Sequence, residues 1–156
     1  MTVMPRKTER ALLNHLIETC RDAERGFRIA AGEVKAPELT HLFLRLAEQR
    51  RDFASDLLRY AQPLGNASAA DGTRVATLHR SWLQLKAHLA SNPDRAVLEE
   101  AARGESFALA AYDEAVNDLV PPDVRELIVA QDLGVRVARR LVTEMAANPL
   151  ANGPRR

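Results

Sequence analysis

Glu24, Arg50, Glu105 and Gln131 are the residues of this 156-residue chain best placed to do chemistry. Each breaks an apolar stripe with alternating three- and four-residue spacing. Glu24 lies between Cys20 and Phe27, Arg50 between Leu46 and Phe53, Glu105 between Ala101 and Ala108, and Gln131 between Leu127 and Gly134. The offset of 81 residues between Glu24 and Glu105 also separates Arg50 from Gln131 and Ile17 from Leu98. Two similar helical hairpins would bring all four side chains to one level of a core. Burying charge there is costly unless it is paired or coordinated.

One chemistry that uses such a layer is a di-metal carboxylate centre. In bundles of that kind two helices each supply a Glu, and two supply Glu-x-x-His with both side chains facing inward. Glu24 and Glu105 meet the first half of the requirement. The other two segments read Glu48-Gln49-Arg50-Arg51 and Gln131-Asp132-Leu133-Gly134, with Arg and Gly where a His is needed. Under a metal reading the donors are Glu24, Glu48, Glu105 and Asp132, an all-oxygen set suited to iron or another hard divalent cation. Two other readings compete with it. The four residues form a Glu–Arg–Glu–Gln layer that sets helix register and holds no cofactor, or they lie at a solvated edge.

No other catalytic pattern stands out. His15, His41, His79 and His88 contain no i,i+4 pair, so a hemerythrin-type cluster is not expected. The serines lack a Gly-x-Ser-x-Gly elbow, and no Gly-rich phosphate loop is present. Cys20 sits in an apolar stripe and reads as a small core residue. Trp82 shares a face with Leu78 and Leu85 and reads as the anchor of a linking helix.

The elements that must position these residues are helices. Pro37, the Pro63–Asn66 cluster, Asp71-Gly72, Pro93 and Pro121-Pro122 cut the chain into long pieces with helical periodicity. They predict helices at 8–35, 38–62, 73–90, 94–118 and 122–147, followed by a flexible tail at 148–156. Thr8, Thr73 and Asn92 are the expected caps, with Pro93 and Pro122 at first helical positions. Ala (26) and Leu (21) dominate the composition and favour helix, while β-branched alternation is absent. The expectation is an all-α, single-domain four-helix bundle with one long crossover carrying an extra short helix.

Charge is nearly balanced, with Lys+Arg 22 against Asp+Glu 21, so no basic footprint points to nucleic acid. The polar start and the lack of any long apolar run predict a cytoplasmic protein without membrane contact. A lone cysteine leaves no internal disulfide to form.

Several segments resemble a known family. They are Leu16–Asp22, Pro37-Glu38-Leu39 with Leu42-Phe43, Gln49-Arg50 with Phe53-Ala54, Leu78-His79-Arg80 with Trp82 and Lys86, Leu98-Glu99-Glu100 with Arg103-Gly104-Glu105, and Pro122-x-Val124-Arg125 with Gln131. In this order, over about residues 12–145, they resemble a bacterial family of ferritin-like four-helix-bundle proteins of unknown function. The resemblance implies a ferritin-like bundle with a helical crossover and no established activity. Ala102 and Arg139 stand where it implies an acid and a His.

Three functional expectations follow. The leading one is a non-enzymatic structural or interaction module, linked to stress, with a degenerate metal site and a homodimeric assembly. The rival is an iron-binding oxidoreductase or metal-storage protein using the reduced carboxylate set. A third is a carrier of an apolar ligand, with Gly26, Gly104 and Gly134 opening cavities between helices.

Overall fold

The structure is a computed structural model and describes residues 6–65 and 92–148. Its elements are α1 (Arg6–Glu33), α2 (Pro37–Ala61), a 3-10 turn at Gln62–Leu64, α3 (Pro93–Asn117) and α4 (Pro122–Ala147). No strand occurs among the described residues, and the protein is an all-α four-helix bundle. The four long helices begin and end within two residues of the ranges their periodicity predicts. The expected helix at 73–90, with Trp82, lies outside the described residues, as does the tail beyond Asn148.

Local chemistry explains the helix ends. Asn92 caps α3 by accepting from the Arg95 amide at 3.2 Å, and Pro93 takes a position where its missing N–H costs nothing. α4 opens on Pro122, with Asp123 in the first turn where the helix dipole favours a carboxylate. Gly65 closes the 3-10 turn at φ +87°, a backbone conformation that L side chains rarely adopt. Thr8, expected as a cap, lies instead inside α1, which starts at Arg6.

Contacts at the helix ends set the topology. The Asp94 carboxylate, in the first turn of α3, accepts from the amides of Lys35 (2.7 Å) and Ala36 (3.0 Å) in the α1–α2 turn. At the other end of that hairpin, Arg10 of α1 donates to the Gly65 carbonyl just after α2. The end of α2 and the start of α3 therefore lie at opposite ends of the bundle. α2 has 25 residues, so those ends are separated by about 37 Å at the usual rise per residue. The helices run up, down, down, up, and the connection from residue 65 to residue 92 is the expected crossover. α1 packs along α2 and α3 along α4, and the two hairpins meet mainly through α1 and α3 and more sparsely through α2 and α4.

Inside, the core divides into two apolar bodies. One, near the α1–α2 turn, includes Phe27, Leu39, Phe43, Leu46, Val97, Leu98 and Val142. The other, toward the α3–α4 turn, includes Leu13, Leu16, Ile17, Leu57, Ala108, Val124, Ile128 and Val135. Arg50, Glu105 and Gln131 are fully buried polar residues; Arg50 and Glu105 fall between the two bodies along their helices, while Gln131 lies within the second, between Ile128 and Val135.

Two expected stripes need correction. The periodicity of α4 predicts an inner stripe of Leu127, Gln131, Gly134, Ala138, Leu141 and Met145; the buried line is Val124, Ile128, Gln131, Val135, Ala138 and Val142, so Leu127, Gly134 and Leu141 give way to the next residue along. The reason is Gly134. A Cβ there would stand 2.9 Å from Cζ of Phe53, so this edge of α4 lies against α2 and the adjacent line faces the core. On α3 the periodicity predicts a stripe of Leu98, Ala101, Glu105, Ala108, Tyr112, Ala115 and Leu119, but Leu119 is past the helix end and 60% exposed.

Candidate functional site

The candidate site is a buried polar layer to which all four helices contribute. α2 supplies Arg50 and α3 supplies Glu105, each 1% exposed. Their pairing is bidentate: Nη1 donates to Oε1 at 2.7 Å and Nη2 to Oε2 at 2.5 Å. This fork-to-fork geometry is the strong form of an ion pair, because two parallel bonds share one charge couple. Both carboxylate oxygens are used, and the guanidinium carbon lies 5.5 Å from the Phe27 ring centroid and 5.9 Å from that of Phe53. Two aromatic faces thus supply some of the electrostatic stabilisation that water would give. Nε of Arg50 is the atom of that group without a hydrogen-bond partner among the described residues. Burial works against the Arg50 charge, yet Glu105 outweighs it through charge and hydrogen bonds, holding the guanidinium above its ordinary range.

Beside the ion pair runs a chain of neutral hydrogen bonds. Tyr112 of α3 donates to Oε1 of Gln131 at 2.7 Å, and Nε2 of Gln131 donates to the Phe53 carbonyl at 3.1 Å. Tyr112 has one proton and has committed it to Gln131. The Cys20 thiol, 3.0 Å from the Tyr112 oxygen, is therefore the donor in that contact. The chain passes from α1 to α3 to α4 to α2. Burial pushes the Cys20 thiol up to about 11, against the pull of the Tyr112 hydrogen bond and the Arg50 charge. Burial also raises Tyr112, with Cys20 adding to the effect. A thiol and a phenol held in their protonated forms are poor nucleophiles, so this chain orients and satisfies rather than attacks.

The four carboxylates of the metal reading do not converge. Glu24 keeps 21% of its side chain exposed and accepts from Arg28, one turn along its own helix, at 3.0 and 3.3 Å. Glu48 is 64% exposed and lies 3.9 Å from Arg51. Asp132, 15% exposed, accepts from Arg136 one turn along α4 at 2.9 Å. Only Glu105 lies in the core, and its partner is a guanidinium. Among the described residues no three of His, Cys, Asp and Glu come together as a metal would require. The physical reason is charge balance: one Arg neutralises one carboxylate, and a second Glu buried beside the Arg50–Glu105 pair would have no counter-ion. His15 and His41 are exposed, while His79 and His88 lie outside the described residues.

The glycines expected to open cavities do not do so at Gly134, where the Phe53 ring fills the space. A small groove of about 220 Å³ does exist between α1 and α3, walled by Leu12, His15, Ala111, Glu114 and Asp118. It is lined by none of the three glycines. Sequence reasoning read Tyr112 and Cys20 as apolar stripe members and missed their hydrogen bonds. It also missed buried Glu100, 3.8 Å from Arg103, and the Asp94 clamp on the α1–α2 turn. The signal for Tyr112 was its hydroxyl, since a buried phenol O–H needs an acceptor.

Among the described residues no helix is long and apolar enough to cross a membrane. No curated protein matches the chain significantly. The profile of one family does, over residues 9–118, which run from the first turns of α1 through Glu105 and Tyr112 to the end of α3. With most of its length so matched, the chain belongs to the family described as a domain of unknown function, DUF2383.

Proposed function

We propose that the protein is a ferritin-like bundle acting as a non-enzymatic structural and interaction module, in which an internal guanidinium takes the place of a bound cation. The observation that carries this reading is the Arg50–Glu105 pair. It occupies the level where the polar breaks of the helices meet, uses both oxygens of the buried carboxylate, and is roofed by Phe27 and Phe53. A divalent ion entering there would have to displace a buried cation from its counter-ion and would find one carboxylate instead of four. The up-down-down-up course of the helices supports the ferritin-like comparison. The single cysteine, held as a thiol and pushed up by burial, suits a reducing compartment such as the cytoplasm.

The test is anaerobic titration of the purified protein with Fe(II), followed by air and an oxidation readout, with elemental analysis of the protein as isolated. The expected outcome is less than one metal per ten chains and oxidation at the rate of the buffer blank. One or more irons per chain, abolished by Glu105→Gln, would overturn the proposal in favour of the oxidoreductase or storage reading.

A further inference from the structure

The described surface carries one long apolar stripe that the core does not use. On α4, Val129 (46% exposed), Leu133 (62%), Val137 (61%) and Leu141 (39%) recur every four residues. On a helical wheel Val129, Leu133 and Val137 lie opposite the buried line of Val124, Ile128, Val135 and Val142 and face away from the bundle, while Leu141 stands at the margin of the stripe nearest the edge that meets α2. Large apolar side chains in such a row mark an interaction surface, whereas Leu44, Phe107 and Leu119, the other exposed large apolar residues, belong to other segments of the chain.

The charges on α4 indicate what covers it. Most ionic groups near the stripe are engaged within the chain. Arg136 pairs with Asp113 and Asp132, Arg139 donates to Ser106, and Arg125 donates to the Val116 carbonyl. Glu126, Arg140 and Glu144 are different: all three are exposed, and none has an ion pair or hydrogen bond among the described residues. Glu126 and Arg140 stand seven residues to either side of Leu133, and on the wheel both fall within about 40° of the stripe's centre.

We propose that this face of α4 binds the same face of a second copy, antiparallel, about a twofold axis at Leu133. That register stacks Leu133 on the partner's Leu133 and each Val129 on the partner's Val137. It also sets each Glu126 beside the partner's Arg140, making two equivalent ion pairs, as an isologous interface requires. Shifting the axis by two residues would still pack apolar on apolar, Val129 on Leu141, but would oppose Glu126 to the partner's Glu144. Charge complementarity therefore selects the Leu133-centred register over its neighbour. The inference names the partner for the interaction module proposed above. Its failure is distinguishable from that of the core reading, which the iron titration tests.

The experiment is sedimentation of the full chain over a wide concentration range. The expected wild-type result is a reversible dimer, roughly micromolar, as suits an interface formed by a single helix face. Leu133→Arg should weaken the dimer at least tenfold without lowering the Tm of the monomer. Glu126→Arg and Arg140→Glu should each weaken it, because each sets like charges together across the axis. The double swap, Glu126→Arg with Arg140→Glu, should restore the wild-type constant. A strict monomer at about 0.5 mM overturns the proposal. So does a dimer indifferent to Leu133→Arg, or a double swap that fails to rescue. A monomer whose Tm falls with Leu133→Arg also overturns it, by showing that another part of the same chain owns the stripe.

Discussion

Replacing Glu105 by Leu should be among the most damaging single changes this protein can suffer, although Leu fits the stripe it joins. Arg50 is 1% exposed and gives both terminal nitrogens to Glu105. Without that carboxylate, a full positive charge stays inside between two phenyl rings with no route to water. Removing one partner of a buried pair costs roughly 3–5 kcal/mol. For a chain of this size that corresponds to a fall in Tm of roughly 6–20 °C. Arg50→Met should cost a similar amount, by stranding the carboxylate. The double variant, Arg50→Met with Glu105→Leu, removes both charges and leaves apolar groups of similar volume. Such replacements are neutral or stabilising by about 1–4 kcal/mol. Urea melts followed by circular dichroism at 222 nm, with m-values compared to ensure the same denatured state, give the full cycle. If each single variant lost less than about 1 kcal/mol, the pair would be solvated in practice. A double variant that lost the sum of the two single costs would refute the coupling itself.

Three further changes probe the neighbouring groups. Tyr112→Phe removes the donor to Gln131 and the acceptor of the Cys20 thiol, and should cost about 1–3 kcal/mol in the same melts; no loss would show that water replaces the phenol. The folded Cys20 thiol titrates at about 11 against 9.0 for the free group, so its contribution to stability is intact below pH 9 and is lost as pH rises through 11. At pH 8 a thiol reagent should therefore label the folded protein only as fast as it unfolds, and prompt labelling of the native state would contradict the buried assignment. Gly134→Ala gains helix propensity but drives a methyl group into the Phe53 ring, which roofs Arg50; a net loss of about 1–2 kcal/mol is expected, and a stabilised variant would show that the ring gives way freely.

The fold was legible in the sequence because every signal for it is local. Proline and glycine positions mark the helix ends, and alternating three- and four-residue spacing marks the inner faces. The α4 stripe was harder, since Leu127, Gly134 and Leu141 form an apolar line beside the buried one. Only the approach of Gly134 to Phe53 decides between them, and that contact joins positions 81 residues apart in sequence. The core layer was legible in part. Arg50, Glu105 and Gln131 are inside, as their interrupted stripes implied. Which of the two Glu residues would take the single Arg could not be read from spacing, because the two have equivalent positions in their stripes. The hydrogen bond from Cys20 to Tyr112 was beyond reach for the same reason, since it links side chains 92 residues apart.

The internal repeat also explains why Glu24 is outside. The offset that carries Glu24 to Glu105 carries Arg50 to Gln131, so the counterpart of the Arg50–Glu105 pair would be Gln131 with Glu24. Gln131 is neutral and cannot balance a carboxylate. A buried Glu24 would be an uncompensated charge at a cost of several kcal/mol, whereas at the rim it reaches water and Arg28. Gln131, freed from that partner, turns its carbonyl to the Tyr112 hydroxyl and its amide to the Phe53 backbone. One charged pair and one neutral hydrogen-bond chain thus replace two equivalent halves of a symmetric layer. A centre built to share one or two ions among four carboxylates needs the symmetry that the change from Arg50 to Gln131 removes. The same departure from symmetry that undoes a ligand cage gives this core a single satisfied arrangement.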